Sequence, residues 1–256
     1  MRTWIFLRGL TRESRHWGAF PETFQREFSD ARVIATDLPG NGRLNALASP
    51  CRVEEMVEGV RAQLAGQGLA PPYHLLAMSL GAMVAVAWAT RHPGEIVGCV
   101  LINTSMRPFS PFFHRLKPRN YSCLLQRVLL GFDDTAREKA ILELTSNLVQ
   151  RRAEVLERWV DYRSECPVSC HNVLRQLLAA ARYVGPSSRP ASPILILGSE
   201  HDALVDPACS QQIAAQWNVP LVLHPSAGHD LPLDDGVWVT RQVVQWLLSE
   251  SCSTKP

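Results

Sequence analysis

Short apolar runs alternate with stretches of helical periodicity along most of the chain. The runs that predict strands cover residues 3–7, 32–36, 73–77, 97–103, 193–197 and 221–224. Apolar residues at helical spacing occupy residues 17–28, 53–66, 80–91, 207–217 and 237–249. Strands that alternate with helices favour a mostly parallel sheet that is flanked by helices on both faces. The sequence therefore predicts an α/β fold.

The alternation is interrupted between residues 106 and 186. This interval is almost free of predicted strands, is rich in Leu, Arg and Glu, and has prolines near its start. A second group of prolines and serines, PSSRPASP, then returns the chain to the strand pattern. A helical insertion between two strands of such a sheet is most simply a cap over one end of it. We predict a core of residues 1–105 and 187–256 and a helical lid of residues 106–186.

Charge and length narrow the class of protein. A chain of 256 residues suits one large α/β domain, and a net charge of +2 gives no reason to expect a nucleic-acid partner. The predicted lid holds 13 Lys and Arg against 8 Asp and Glu. This surplus indicates either a solvated helical face or a surface that attracts an anionic substrate or an acidic partner.

Cysteine usage and hydropathy favour a cytoplasmic protein. The seven cysteines are scattered, and the first residues, MRTWIFLRGL, have too short an apolar run for a secretory signal. No stretch approaches the roughly 20 apolar residues of a membrane span. The one local cluster, Cys166, Cys170 and His171, lacks a second ligand pair at zinc-site spacing, so no metal is predicted.

One hydroxyl interrupts the apolar run LLAMSLGAMVA, between a predicted strand and a predicted helix. Ser79 has the small residues Ala77 and Gly81 two positions before and after it. A tight strand–turn–helix strains its central residue and brings those two positions too close for large side chains. It also places the Leu80 amide at a helix N-terminus, where developing negative charge is stabilised. The pattern predicts a nucleophile, with plain packing as the alternative.

Two later loops supply the partners that a reactive serine needs. GSEHDALVDP follows the strand at 193–197 and offers Glu200, Asp202 and Asp206, while PSAGHDLPLDD follows the strand at 221–224 and offers His229. Parallel strands place these loops beside the serine loop. We predict a triad in which His229 accepts the Ser79 proton and Asp202 orients the imidazole. Asp206, directly before a proline, is better suited to capping the next helix.

The chain resembles the α/β-hydrolase superfamily, in the group with a helical lid inserted late in the sheet. The resemblance rests on AMSLGAMVA around Ser79, DLPGNG at residues 37–42, GSEHDALV around Asp202 and AGHDLPLDD around His229. It covers nearly the whole chain except the predicted lid. In the family the Asp-x-Pro-Gly-x-Gly turn is structural, and the resemblance implies the same here.

The oxyanion loop departs from the family pattern. The loop after the first strand usually begins His-Gly, and here it contains Arg8, Gly9 and Leu10. The resemblance implies that the amides of Leu10 and Leu80 together bind the oxyanion. Arg8 has three open roles: it pairs with an acid, faces an anionic substrate, or packs the loop.

These observations predict a serine hydrolase of esters or thioesters that needs no cofactor. Phe109, Phe112, Phe113, Leu129 and Leu130 are candidates for the acyl pocket, with packing of the lid on the sheet as the alternative use. The resemblance extends to small esterases that act on carrier-bound acyl groups, for which the basic residues Arg115, Lys117, Arg119, Arg151 and Arg152 are candidate contacts.

Other activities of the same superfamily stay open. A serine in place of an aspartate excludes the covalent chemistry of haloalkane dehalogenases and epoxide hydrolases. Cofactor-free oxygenases and haloperoxidases keep the serine triad. A lyase or C–C bond hydrolase on an anionic diketo-type substrate suits Arg8 and the basic lid. A catalytically inert binding protein that retains the triad is the non-enzymatic alternative.

Overall fold

The computed structural model describes residues 2–123, 133–147 and 152–253, and within them one six-stranded sheet organises the molecule. The strands are β1 (Arg2–Leu7), β2 (Ala31–Thr36), β3 (Tyr73–Met78), β4 (Ile96–Ile102), β5 (Ile194–Ser199) and β6 (Leu221–His224). Their order across the sheet is β2-β1-β3-β4-β5-β6, and each neighbouring pair is parallel. The predicted α/β-hydrolase architecture is confirmed. All six strands therefore end at the same edge.

Alternating side chains of the strands feed two separate hydrophobic cores, one on each face of the sheet. On β3, Leu75 and Ala77 point into one core, whereas Leu76 and Met78 point into the other. The first core is completed by α2 (Val53–Gly66), α3 (Leu80–Arg91) and α7 (Ala208–Trp217). The second is completed by α1 (Phe20–Glu27) and α8 (Leu231–Ser253). Burial on both faces explains why the strands are apolar throughout.

In the described part of the interval between β4 and β5, three helices of 12 to 14 residues follow two short helical segments, Phe112–Arg115 and Tyr121–Cys123. The three helices are α4 (Asp134–Thr145), α5 (Arg152–Glu165) and α6 (Cys170–Arg182). Helices α4 and α5 pack against each other, and α6 places Ala179 in the first core. These helices fall where the sequence predicts the lid. Leu129, Leu130 and Arg151 lie outside the described residues.

The last helix begins earlier than its periodicity predicts. The apolar spacing indicates a start near residue 237, but α8 already begins at Leu231 and bends at Asp235 (φ −149°, ψ 74°). Proline, aspartate and glycine in LPLDDG are poor helix formers, so the propensity of this segment predicts a loop. The amides of Leu233 and Asp234 bond to the carbonyl of Asp230 and start the helix there.

Candidate active site

Ser79 lies in a strained turn between β3 and α3. Its backbone has φ 54° and ψ −119°, a left-handed conformation that non-glycine residues rarely adopt. The turn brings the start of α3 against the end of β1: a Cβ on Gly81 would lie 2.5 Å from the carbonyl oxygen of Leu7 and 2.6 Å from that of Arg8. Only glycine fits at that close approach. Ala77, on the other side of the turn, is fully buried.

Asp202 and His229 are hydrogen bonded and almost completely buried. The distance from Asp202 Oδ2 to His229 Nδ1 is 2.7 Å. Asp202 Oδ1 accepts the amides of Leu204 (2.7 Å) and Val205 (2.9 Å), so the carboxylate orientation is fixed. A carboxylate only accepts hydrogen bonds, so the proton of a neutral imidazole lies on Nδ1 and Nε2 is the basic atom. His229 and Ser79 line the same cavity.

The loop of Leu10 lies directly against the serine turn. A Cβ on Gly9 would be 3.0 Å from the Cβ of Ser79, so the glycine allows this approach. The following residue, Thr11, has φ 56°, an unfavourable conformation for a β-branched side chain. Its amide donates to Oε1 of Gln176 at 2.9 Å. This contact holds the peptide next to the predicted Leu10 donor in place.

Gln176 on α6 is fully buried and has all its polar atoms engaged. Besides accepting from Thr11, it donates from Nε2 to Asn41 Oδ1 (2.7 Å) and to Ser49 Oγ (2.9 Å). The side chain thus links a helix of the insertion to the Leu10 loop and to the turn at residues 37–42. Asp37 in that turn accepts the amides of Ser14 and Arg43, which fits the structural role that the resemblance implies.

Arg8 pairs with an acid, the first of its three open roles. Its guanidinium donates to both carboxylate oxygens of Asp230, at 3.0 Å and 2.5 Å, and stacks over the ring of Trp17. Asp230 directly follows His229, so this pair joins the oxyanion loop to the histidine loop. The side chain of Arg8 is almost completely buried. Its charge is therefore neutralised within the protein.

Two cavities meet at Ser79. The smaller holds about 80 Å³, and its lining residues include Arg8, Gly9, His229 and Asp230. The larger holds about 920 Å³, within the range of small-molecule sites. Its walls, besides Ser79, include the following mostly apolar residues of the core and of the insertion: Leu10, Leu80, Met83, Pro108, Pro111, Phe112, Leu116, Leu177, Ala180 and Val205.

Of the three predicted pocket phenylalanines, the structure places only Phe112 in the wall of a cavity at Ser79. Phe112 lines the larger cavity and is largely exposed. Phe113 packs its ring on Phe112, with centroids 5.6 Å apart, and is not among the cavity-lining residues. Phe109 packs edge-on against Trp217 in the first core, at 5.5 Å between centroids, and lines neither cavity at Ser79.

A short segment of the insertion, residues 114–120, supports the loop that carries Asp202. Lys117 donates from Nζ to the carbonyl of Asp202 (2.7 Å) and from its amide to Leu204 (3.0 Å). Asn120 and Arg119 donate to the carbonyl of Ala203. Lys117 and Arg119 are two of the basic residues predicted to contact a carrier-bound substrate. Both are therefore hydrogen bonded to the loop that carries Asp202. Arg152 donates to the carbonyl of Ser146.

Asp206 performs the predicted capping role. Its Oδ1 accepts the amide of Ala208 at 2.9 Å, where α7 begins. Among the described residues no group of three His, Cys, Asp or Glu side chains is placed to hold a metal ion. No helix in the described ranges is both long and apolar enough to cross a membrane. The cytoplasmic location stays a prediction.

Three residues at this site were not predicted from the sequence: Gln176, Asp230 and Asn103. Asn103 has φ 45° and lies at the end of β4, where its amide group donates to the carbonyl of His229 at 2.8 Å. Its Oδ1 accepts the amide of Ser199 at 2.8 Å, so it ties β4, β5 and the histidine loop together. A polar residue directly after a buried strand was the available signal for Asn103. No local pattern marks Gln176.

Comparison with known families gives one match that spans most of the chain. The model of the "Alpha/beta hydrolase family" matches residues 4–242. Curated relatives match shorter regions. An uncharacterized protein of Schizosaccharomyces pombe is 24% identical over 177 residues, 64% of this chain and 31% of that protein. "Probable lysophospholipase BODYGUARD 1" of Arabidopsis thaliana is 32% identical over 104 residues, 38% of this chain and 22% of that protein. The chain thus spans less than a third of these relatives.

Solved structures share the fold at low sequence identity. The enol-lactonase of Burkholderia xenovorans LB400 superposes with a TM-score of 0.78 and 19% identity, over 96% of this chain and 91% of that one. A thermophilic esterase of Thermogutta terrifontis gives 0.74 and 22%, over 97% and 90%. The esterase RhEst1 of Rhodococcus sp. ECU1013 gives 0.77 and 18%, over 97% and 90%.

Proposed function

The chain belongs to the alpha/beta hydrolase family, and from this premise we propose that it hydrolyses carboxylic esters or thioesters through an acyl-enzyme intermediate. The observation that carries the proposal is the buried Asp202–His229 hydrogen bond, which ends in the same cavity as the strained Ser79. This is the arrangement that nucleophilic acyl transfer requires: a hydroxyl, a base and an acid that orients the base.

In the first half-reaction Ser79 attacks the carbonyl carbon. His229 Nε2 takes the hydroxyl proton, and Asp202 stabilises the imidazolium that forms. The carbonyl oxygen becomes negatively charged and accepts hydrogen bonds from the amides of Leu10 and Leu80. The imidazolium then gives its proton to the leaving alcohol or thiol, and the acyl group remains on Ser79.

In the second half-reaction water replaces the leaving group. The smaller cavity, on the His229 side of Ser79, has room for a few water molecules. His229 takes a proton from one of them, the resulting hydroxide attacks the acyl ester, and the carboxylic acid leaves as Ser79 regains its proton. The larger cavity, with its apolar walls, then holds the acyl chain. On this proposal the insertion acts as a lid, since Phe112 and Leu177 supply part of those walls.

The alternative of C–C bond cleavage on an anionic diketo-type substrate loses one of its two supports. It depends on Arg8 facing the substrate, but the guanidinium of Arg8 is paired with Asp230. The names of the relatives and of the structures with the same fold, a lysophospholipase, esterases and a lactonase, support ester hydrolysis as the first activity to test.

A fluorophosphonate probe tests the proposal directly, because it forms a covalent bond only with an activated serine. We expect stoichiometric labelling of the wild-type protein, loss of labelling in Ser79→Ala, and full labelling in Ser188→Ala, which removes an exposed serine. A panel of p-nitrophenyl esters gives the preferred acyl length. A wild-type protein that is neither labelled nor hydrolytic is an inert member of the fold, and the proposal is then wrong.

A further inference from the structure

The larger cavity combines apolar walls with two guanidinium groups. Arg107 and Arg115, both in the insertion, line it together with Ser79, Leu10 and Leu80. The cavity therefore connects the predicted reaction centre with a local concentration of positive charge. Because Arg8 is neutralised by Asp230, these two arginines are the ones to consider for an anionic substrate.

Arg115 is only partly satisfied by the protein. It is half-buried and donates from Nη2 to the carbonyl of Ala180 at 2.6 Å, while its buried Nε has no hydrogen-bond partner among the described residues. Burial lowers the pKa of its guanidinium, and the nearby charge of Arg107 adds to the effect. In the described part of the chain neither arginine has a carboxylate within salt-bridge distance.

The contrast between Arg115 and the buried arginines Arg8 and Arg12 is informative. Arg8 is paired with Asp230, and Arg12 donates to Glu138 at 2.6 Å. A guanidinium that is withdrawn from water without a counter-charge is costly, so proteins pair such groups. Arg115 has no such carboxylate among the described residues, and it lines the larger cavity. A bound anion is the group that would complete the pairing.

We propose that Arg107 and Arg115 form an anion subsite that selects esters or thioesters carrying an acidic group at the far end of an apolar chain. Guanidinium groups bind carboxylate and phosphate through paired, charge-assisted hydrogen bonds, so both are candidates for the acidic group. This assignment rests on the proposed function for the bond that is cleaved. It adds the substrate class: the apolar walls hold the chain and the arginines hold its charged end.

A matched pair of esters tests the subsite. Mono-p-nitrophenyl adipate and p-nitrophenyl hexanoate have the same leaving group and acyl length, and differ only in the terminal carboxylate. We expect the wild-type protein to prefer the adipate in kcat/KM by about tenfold or more, as one charge-assisted pair implies. Arg115→Met should abolish that preference, so that the ratio of kcat/KM for adipate to that for hexanoate falls to about one. Arg115→Lys and Arg107→Met should retain part of it.

Arg241→Met, on an exposed position of α8, is the matched control and should keep the full preference. Equal preference in wild type and Arg115→Met overturns the subsite, and so does a wild-type protein that favours the hexanoate. If Arg115→Met fails to fold, the intermediate preference of the Lys variant and the reduced preference of Arg107→Met serve as the test, and wild-type preference in both counts against the proposal.

A binding measurement separates the subsite from the hydrolytic activity. Calorimetry with the Ser79→Ala protein compares monohexyl phosphate, hexanoate and hexanol, so the two anions are told apart from each other and from the bare chain. We expect one of the anions to bind at least about tenfold more tightly than hexanol, and the Ser79→Ala/Arg115→Met protein to lose this difference. Anion binding without ester hydrolysis would overturn the proposed function alone. Hydrolysis without arginine-dependent binding or preference would overturn the subsite alone.

Discussion

Arg8 and Asp230 form a bidentate ion pair in which the two side chains are 3% and 2% exposed. The pair connects the residue two before Leu10 with the residue directly after His229. At the position before Gly9, where the family resemblance predicts a histidine, this chain has an arginine with its own acidic partner. The loop of Leu10 and the loop of His229 are therefore tied by charge-assisted hydrogen bonds, the strongest kind that side chains form.

Breaking one half of this pair should destabilise the protein. Arg8→Met leaves the Asp230 carboxylate buried without a partner, and we expect the free energy of unfolding to fall by about 3–5 kcal/mol. The double variant Arg8→Met/Asp230→Leu removes both charges and should recover most of that loss. Urea unfolding of the two variants and the wild type measures the difference. A double variant as unstable as Arg8→Met would show that the lost energy is not electrostatic.

Gln176 should act on catalysis by positioning the Leu10 loop. Gln176→Ala removes the acceptor of the Thr11 amide, so we expect kcat for p-nitrophenyl esters to fall by about tenfold with little change in KM, as for weakened oxyanion binding. Gln176→Glu keeps the acceptor oxygen and should recover part of kcat. The rate of fluorophosphonate labelling should follow kcat.

Asn172→Ala is the matched control for Gln176. Asn172 lies one turn earlier on α6 and bonds to the amide of Ser49 and the carbonyl of Leu47, but not to the Leu10 loop. This variant should lose stability while kcat stays near the wild-type value. Equal losses of kcat in the two variants would show that α6 supports the site only through overall stability.

Asp202 and Asp206 lie four residues apart in one loop and should differ sharply in their effects. Asp202→Asn keeps an acceptor for the amides of Leu204 and Val205 but cannot fix the tautomer of His229, so we expect kcat to fall by about 10³–10⁴. Asp206→Asn affects only the start of α7 and should cost about 1 kcal/mol of stability or less, with kcat unchanged. Steady-state kinetics and urea unfolding of both variants give the comparison. A similar kcat in the two would remove Asp202 from the triad.

His74 should make the protein less stable in mild acid. Burial lowers its pKa from 6.5 to about 4, with the charge of Arg2 adding to the effect. Between these values the unfolded chain binds a proton that the native state does not, so stability is complete above pH 6.5 and is lost as the pH falls towards 4, by up to about 1.4 kcal/mol per pH unit.

His74→Phe should reduce this loss, because phenylalanine keeps the stacking on Trp4, where the ring centroids are 4.7 Å apart, and has no titrating nitrogen. Unfolding by urea at pH 7.5, 6 and 5 measures the slope for each protein. Burial also lowers the pKa of His16, but His16 is present in both proteins and contributes equally to their two slopes. The difference between the slopes therefore isolates His74. Identical slopes would contradict the prediction.

The parts of the structure that sequence predicted are those with a local physical signal. Buried parallel strands and amphipathic helices repeat at fixed periods, and the described strands lie within a few residues of the predicted ones. The loops of Ser79, Asp202 and His229 each come directly after a predicted strand. Their proximity was therefore predictable, because parallel strands bring their carboxyl ends to one edge of the sheet. The start of α8 was missed because tertiary hydrogen bonding at Asp230 prevails over the weak helix propensity of LPLDDG.

The missed relationships depend on contacts between distant parts of the chain. Gln176 and Thr11 are 165 positions apart, and Arg8 and Asp230 are 222 apart. Nothing in either neighbourhood specifies the partner, and the resemblance to the family carries no information about the insertion. Arg8 is paired with Asp230, and Arg115 has no carboxylate within salt-bridge distance in the described ranges. Both facts depend on where the acidic side chains lie in three dimensions.

The segment 114–120 limits how the inserted region can be exchanged between related hydrolases. Exchanging the inserted region between relatives is an obvious route to new substrates, by recombination or in the laboratory. Here the first part of that region supplies hydrogen bonds to the backbone of Asp202, Ala203 and Leu204. Replacing the insertion from residue 106 onward would remove those donors from the loop of Asp202. A chimera should therefore keep residues up to 120 with the sheet, or transfer the loop of Asp202 together with the insert.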